Sequence, residues 1–521
     1  MRAPTLAVLL VSVLFAGCVS DAPAKVDGDA TAFLPDWSER ALPFGDDHDH
    51  TDPLQHANLS TRNFEVIGRD PLASPHYDGK SAGGYLCGDG GETIDGRRLA
   101  IVESRSEVGF AVADVTDATA PKWLGELVMK STYVYDVGVV PDGRHVALVT
   151  SNAKTPSAPA TASTADLLRE TPEGLVYDGV VWQARCADAP VPLRWAVTED
   201  PLPRPVSLLL VDISDPTQPT VVDQRPLPGF GHSVVSKIMD GRTLLLVGTV
   251  ASPNAQQWQF YEVLQTPLGG RLHHVSTYTA PPEPDPQRRA SAIGGHTDGW
   301  MQKHPATGQS LAYLVGGPWF IVLDISDPET PKRLGMWSDV VAGREGAVGN
   351  LHSAFPLREL VNGRHYTVIG PEFGGHPDGM PSGVVWVLDT TDPNHVFEVA
   401  AWTLPHEVDW SGTYMFSNHY LTAWNGTVFV SMYHGGVWAL DLSVITPGAF
   451  VQLPSVGVFM PVDPELESAI TFRWTPTLEE ALSFDDGTLL TFDSMTGLWT
   501  FRFDPSDPAP PPAPWEVPPV D

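Results

Sequence analysis

Four histidines stand at matching places in the chain, in Gly231-His232-Ser233, Gly295-His296-Thr297, Leu351-His352-Ser353 and Asn418-His419-Tyr420, each just ahead of a run of strand-forming residues. Imidazoles converging from separate segments suit a transition metal, with copper, zinc or iron the ions that favour nitrogen ligands. A second group falls in the loops between the second and third strands of the fifth and sixth repeated units described below: Glu372, His376 and Asp378 in one loop and His434 in the other. Carboxylates and imidazoles beside an ion can carry protons, so Glu372, His376 and His434 are candidates for that role. The tract at 45–52 also looks like a chelator, with His48, His50 and nearby His56, yet it is acidic and aperiodic and reads as a solvated linker. The chain contains no His-Glu-x-x-His pair or Cys-x-x-Cys pair.

What must position these side chains is a repeat. Leu-Val-Asp-Ile-Ser-Asp-Pro-x-x-Pro at 210–219 returns as Leu-Asp-Ile-Ser-Asp-Pro-x-x-Pro at 323–331, with looser copies at 113–121, 388–393 and 440–443. In each, an apolar run ends in Asp, a Ser/Thr-Asp-Pro turn follows, and a second apolar run begins, which is a strand-turn-strand grammar. Upstream lie two further strand-like runs joined by Asp-Gly or Asn-Gly, as at Asp240-Gly241 and Asn425-Gly426, dipeptides that tolerate positive φ. Four strands per unit without intervening helices predict an all-β, seven-bladed β-propeller of four-stranded antiparallel blades. The last unit lacks an outer strand, and residues 63–68 supply an unclaimed one at the front, so the N-terminal strand is expected to close the ring. On this layout the innermost strands of adjacent blades bring His232, His296, His352 and His419 toward one axis, with Asp136 at the corresponding point of blade two.

These phrases resemble the LVIVD-repeat family of extracytoplasmic β-propeller lipoproteins, over nearly all of the chain after its leader. The resemblance implies a propeller and export, without a defined activity. Unit three departs from it, carrying Glu262-Val-Leu-Gln-Thr-Pro267 where the Asp-Pro turn belongs. A more distant likeness, in the placement of histidines at blade entries alone, is to the selenium-binding protein and methanethiol oxidase propellers. A Gly-His step between blades also resembles that of WD-type propellers, where the imidazole is a structural hydrogen-bonding group. Metal ligand and structural tie are both open from the sequence.

Residues 1–18 carry one Arg, an apolar run too short to span a bilayer, and Ala16-Gly17-Cys18, the layout of a lipoprotein export signal with Cys18 as the lipidated residue. Residues 19–60 read as a flexible acidic tether, 61–504 as the propeller with an insertion at 151–205 in blade two, and 505–521 as a Pro-rich tail. With Cys18 assigned to lipid, Cys87 and Cys186 remain as a possible disulfide pinning the insertion. The 63 acidic against 31 basic residues leave a formal net charge of -32, which disfavours nucleic acid as a partner. Two functions fit: a binding module for a protein, glycan or small molecule, exported and held by a lipid anchor on the outer face of a membrane, or a metal-dependent oxidoreductase with its histidine cluster at the central channel.

Overall fold

The computed structural model describes residues 61–75, 80–81, 85–104, 108–129, 133–151, 168–171, 174–177, 180–184, 206–252, 255–266, 269–282, 297–338, 350–372, 384–402, 418–432, 436–459, 478–484, 486–493 and 497–504. Cys18, the 45–52 tract, Cys186, His296, His376, Asp378, His434 and the 505–521 tail lie outside them. Cys87 is buried.

The repeated Asp residues end the third strand of their blades and fold the turn that follows. Asp114, Asp212, Asp324, Asp389 and Asp441 each accept the backbone N–H two residues on, from Thr116, Ser214, Ser326, Thr391 and Ser443, at 2.7–3.0 Å. An Asp side chain that satisfies the backbone locally is the reason this phrase starts a turn. The strands on either side then pair antiparallel in every unit. Blade three, for example, runs Phe230–Met239, Arg242–Ser252, Ala255–Thr266 and Gly269–Thr279, each paired with the next. This is the unit that departs from the repeat phrase, and its strands are nevertheless long and continuous.

Seven such sheets form the β-propeller. The other innermost strands are Tyr85–Glu92, Tyr133–Val139, Thr297–Lys303, Asn350–Pro356, Asn418–Trp424 and Leu478–Ser483 for blades one, two, four, five, six and seven. Successive innermost strands touch, and that of blade seven touches blade one, so the sheet stack closes on itself. The space between blades is filled by apolar side chains; Leu99, Ile101 and Phe110 of blade one pack against Val134, Val146 and Leu209 of blade two. Trp319, Trp386, Trp438 and Trp499, which recur near the start of third strands, are all buried, as expected for residues that pack blade on blade.

Phe64–Asp70 pairs antiparallel with Gly497–Phe503 as the fourth strand of blade seven, so the chain's first long strand completes its last sheet. Thr61–Arg62 adds briefly to the edge of blade six. The insertion contributes Leu168–Thr171, Gly174–Tyr177 and Val180–Ala184, and the last of these pairs with Lys122–Met129, extending blade one outward although the chain leaves from blade two. No sequence signal in that polar, Pro-rich stretch pointed to this extension.

Phe64 anchors the closure: its ring lies 5.1 Å from that of Phe503, 5.3 Å from Phe501 and 6.0 Å from Phe429 of blade six. Truncating a buried Phe costs roughly 3–5 kcal/mol. Phe64→Ala is therefore expected to lower the denaturant midpoint by a readily measured margin. A variant that melts with the parent would mean that the ring closes without this strand.

Candidate functional site

The described entry histidines lie at β-bulges. At His232 the register skips one residue, Gly231 facing Thr249 and Ser233 facing Gly248. The same skip occurs at His352, between Leu351 opposite Pro371 and Ser353 opposite Gly370, while at His419 two residues, His419 and Tyr420, stand against the single Ser431, between Asn418 opposite Met432 and Leu421 opposite Val430. A bulge re-aims the extra side chain out of the ladder, which is how a strand residue comes to face a neighbouring blade. In blade two the skipped residue is Tyr135, with Asp136 opposite Val149. Asp136 is thus one step beyond the histidine position, a correction to the register read from sequence.

Glycines beneath the bulges let the next blade come close. A Cβ on Gly248 would fall on the Thr297 carbonyl of blade four, and one on Gly370 would fall on the Asn418 amide of blade six. Across these seams each imidazole reaches the next blade: His232 Nδ1 lies 3.2 Å from the Thr297 carbonyl and His352 Nδ1 lies 3.1 Å from that of His419. A carbonyl oxygen can only accept, so Nδ1 carries the proton in both rings. In the neutral imidazole the lone pair is then on Nε2.

That lone pair in His352 faces a carboxylate. Its Nε2 is 3.5 Å from one oxygen of Glu372, and His419 Nε2 is 3.8 Å from the other. The ring centroids of His352 and His419 are 4.3 Å apart, and His232 meets His352 edge-on at 4.9 Å. All four side chains are buried. His352, Glu372 and His419 each offer one ligand atom, and these atoms lie within 4.8 Å of one another. Four-coordinate metal–ligand bonds of about 2.1 Å place tetrahedral ligand atoms roughly 3.4 Å apart, and the two histidine–Glu372 spacings of 3.5 and 3.8 Å are near this value.

Of the residues singled out from sequence, the structure thus brings together His232, His352, His419 and Glu372. Glu372, which the sequence offered for proton handling, lies beside the His352 and His419 imidazoles. It ends the second strand of blade five, opposite Asn350, and so reaches the mouth from the same blade as His352.

A second histidine pair shows the contrast. His304 and His365 meet at 4.7 Å at the opposite end of blades four and five, where His365 Nε2 donates to the Leu357 carbonyl at 2.9 Å and its Nδ1 lies 2.9 Å from the Thr390 hydroxyl. Burial pushes the His365 imidazole down to about 4. Both nitrogens face neutral polar groups, the arrangement of a structural histidine.

No family model matches the sequence, and no curated protein matches it. Among solved structures, the chain is similar to Sqt1 of Saccharomyces cerevisiae, at 9% identity and TM-score 0.41 over 85% of this chain and 98% of that one. It is also similar to a functionally unknown protein from Desulfotomaculum acetoxidans, at 12% identity and TM-score 0.39 over 71% and 88%.

The glycine contacts make the site sensitive to one methyl group. Gly370→Ala must displace the buried Asn418 side chain of blade six, and overpacking of this kind costs roughly 1–3 kcal/mol. The expected result is a lower melting temperature than for alanine at Gly363, whose Cβ would meet open space but whose positive φ of 76° carries its own small strain. Equal melting of the two variants would show that the Asn418 side chain gives way without cost.

Proposed function

We propose that this propeller is a binding module built around a divalent transition metal, held by His352, Glu372 and His419 at the end of the central channel where the blades are joined. The observation that carries the proposal is the convergence of His352 Nε2, His419 Nε2 and the Glu372 carboxylate, each offering a ligand atom within 4.8 Å of the others in a buried setting. A shared cation, whether a proton or a metal ion, suits such a group, and the Nδ1–carbonyl bond behind His352 is the outer support typical of metal-binding imidazoles. Three protein ligands leave coordination positions open for a further ligand.

Zinc, copper and iron all accept two imidazoles and a carboxylate. The ligand set itself favours a second reading, a metal-dependent oxidoreductase, since two histidines and one carboxylate with open positions also suit redox-active iron. Protein offered each metal in turn, then dialysed, is expected to retain about one equivalent of one of them and to melt higher for it, as any ligand that binds only the folded state requires. His352→Ala with His419→Ala should abolish retention while the protein stays folded. Parent protein that retains none of the three metals would refute the site. Retained iron or copper that cycles between oxidation states would select the oxidoreductase reading; retained zinc would select the binding module.

We further infer that the chain is an exported lipoprotein of the LVIVD-repeat type, anchored to the outer face of a membrane through Cys18, with the metal-bearing face directed away from the lipid. The short apolar leader ending in Ala16-Gly17-Cys18 supports this, as does the front strand Phe64–Asp70, which sits at the outer edge of blade seven where a tether would join. Among the described residues no helix is long and apolar enough to cross a membrane. Expressed in a bacterial host, the parent should fractionate with membranes and incorporate labelled fatty acid. Cys18→Ser should lose both, and a parent found wholly soluble and unlabelled would overturn the anchor.

A further inference from the structure

Below the histidine cluster the channel widens into a cavity of about 120 Å³ lined by the innermost strands of the blades. One water takes about 10–15 Å³ on this scale, so the space suits on the order of ten waters or one guest the size of benzoate. Its walls are not uniform. At the far end, where first and second strands join, Lys237 of blade three and Arg358 of blade five line it together with Trp300, Phe355 and Phe484. The Lys237 ammonium sits 4.0 Å from the centre of the Trp300 ring, and Trp300 packs on Phe355 at 4.8 Å. Three blades thus build a stack with a cation at its inner edge, and Arg358 is exposed at the opening.

The carboxylate close to these cations is Asp89. Its two oxygens each accept a backbone N–H, from Gly90 at 2.8 Å and Val139 at 2.7 Å, so its charge is already directed into the tie between blades one and two. Burial pushes Lys237 down to about 8, opposed by Asp89 and reinforced by Arg358. An ammonium that burial works against, with a second cation near it, is stabilised by an incoming anion. In a chain of net charge -32 two cations lining one cavity are a local concentration of positive charge; Asp136 and Asp298 line the same cavity, and burial pushes both carboxyls up toward their neutral forms.

We propose that this end of the channel is a binding site for a small organic carboxylate, its charged group between Lys237 and Arg358 and its apolar body against Trp300, Phe355 and Phe484. Arg358 offers the planar fork that fits a carboxylate, and the aromatic walls favour a guest with an apolar body over a bare oxyanion. The site does not require a metal at the histidines.

Isothermal titration of the full chain with benzoate tests it, with benzyl alcohol as the neutral counterpart of similar shape and inorganic phosphate as the bare anion. The expected result is one benzoate per chain, with benzyl alcohol and phosphate at least tenfold weaker. Lys237→Met and Arg358→Gln should each weaken benzoate tenfold or more, the second at an exposed position where the fold is retained. His352→Ala should leave benzoate affinity unchanged, which separates this site from the metal. The proposal is overturned by absence of benzoate binding at millimolar concentration. Equal binding of benzyl alcohol or phosphate overturns it too, as does affinity unaltered in Arg358→Gln or lost in His352→Ala.

Discussion

How closely one innermost strand can approach the next decides what the centre of this ring can contain, because a side chain of about 6 Å reach can bond a neighbouring blade only if the backbones nearly touch. Two devices secure the approach. Where blades one, two and three meet, Asp89 and Asp136 accept the backbone N–H of Val139 and Val234, each at 2.7 Å, so carboxylates stitch the strands together. From blade three to four and from five to six, glycine at 248 and 370 removes the side chain that would intervene, and an imidazole makes the tie. The two halves of the ring therefore satisfy the same backbone requirement with opposite chemistry, one by acceptors and one by donors.

That choice has an electrostatic consequence. Burial pushes Asp136 well up, with Asp298 adding to the effect, and burial raises Asp298 to about 7. These carboxyls share the upper part of the channel with an imidazole group that has its protons turned outward toward carbonyls. Carboxyls held toward their neutral forms and imidazole lone pairs therefore gather near the histidines, while Lys237 and Arg358, with Asp89 beside them, line the cavity further along.

The architecture was readable because its determinants are local. An Asp that caps its own turn, an Asn-Gly or Asp-Gly hairpin and a repeated apolar run need only neighbours in sequence, and they recur once per blade. Ring closure was readable too, since the last unit lacked a strand and residues 63–68 had no partner. The register at the channel mouth was not. A bulge shifts a side chain by one position without altering composition, so Asp136 seemed equivalent to the histidines when Tyr135 holds that place. Likewise Glu372 looked like a loop acid, and only the pairing of its strand end with Asn350 carries it to His352 and His419. Lys237 and Arg358 passed unnoticed because a cation in an inner strand has no motif; what marks it is the aromatic surface brought from another blade.

The two histidine clusters show why residue type alone could not decide between structure and chemistry. His304, His365 and His352 are all buried, and all bond backbone carbonyls across or within blades. The difference lies in the remaining nitrogen. In His365 it meets a hydroxyl, which can donate or accept and so satisfies either tautomer at no electrostatic cost. In His352 it meets the Glu372 carboxyl, which also faces His419, at a range too long for a good hydrogen bond. A proton on either partner makes that meeting an ion pair or hydrogen bond, and a metal ion makes it shared ligation, so His352 has a second partner able to share a cation where His365 has only a hydroxyl.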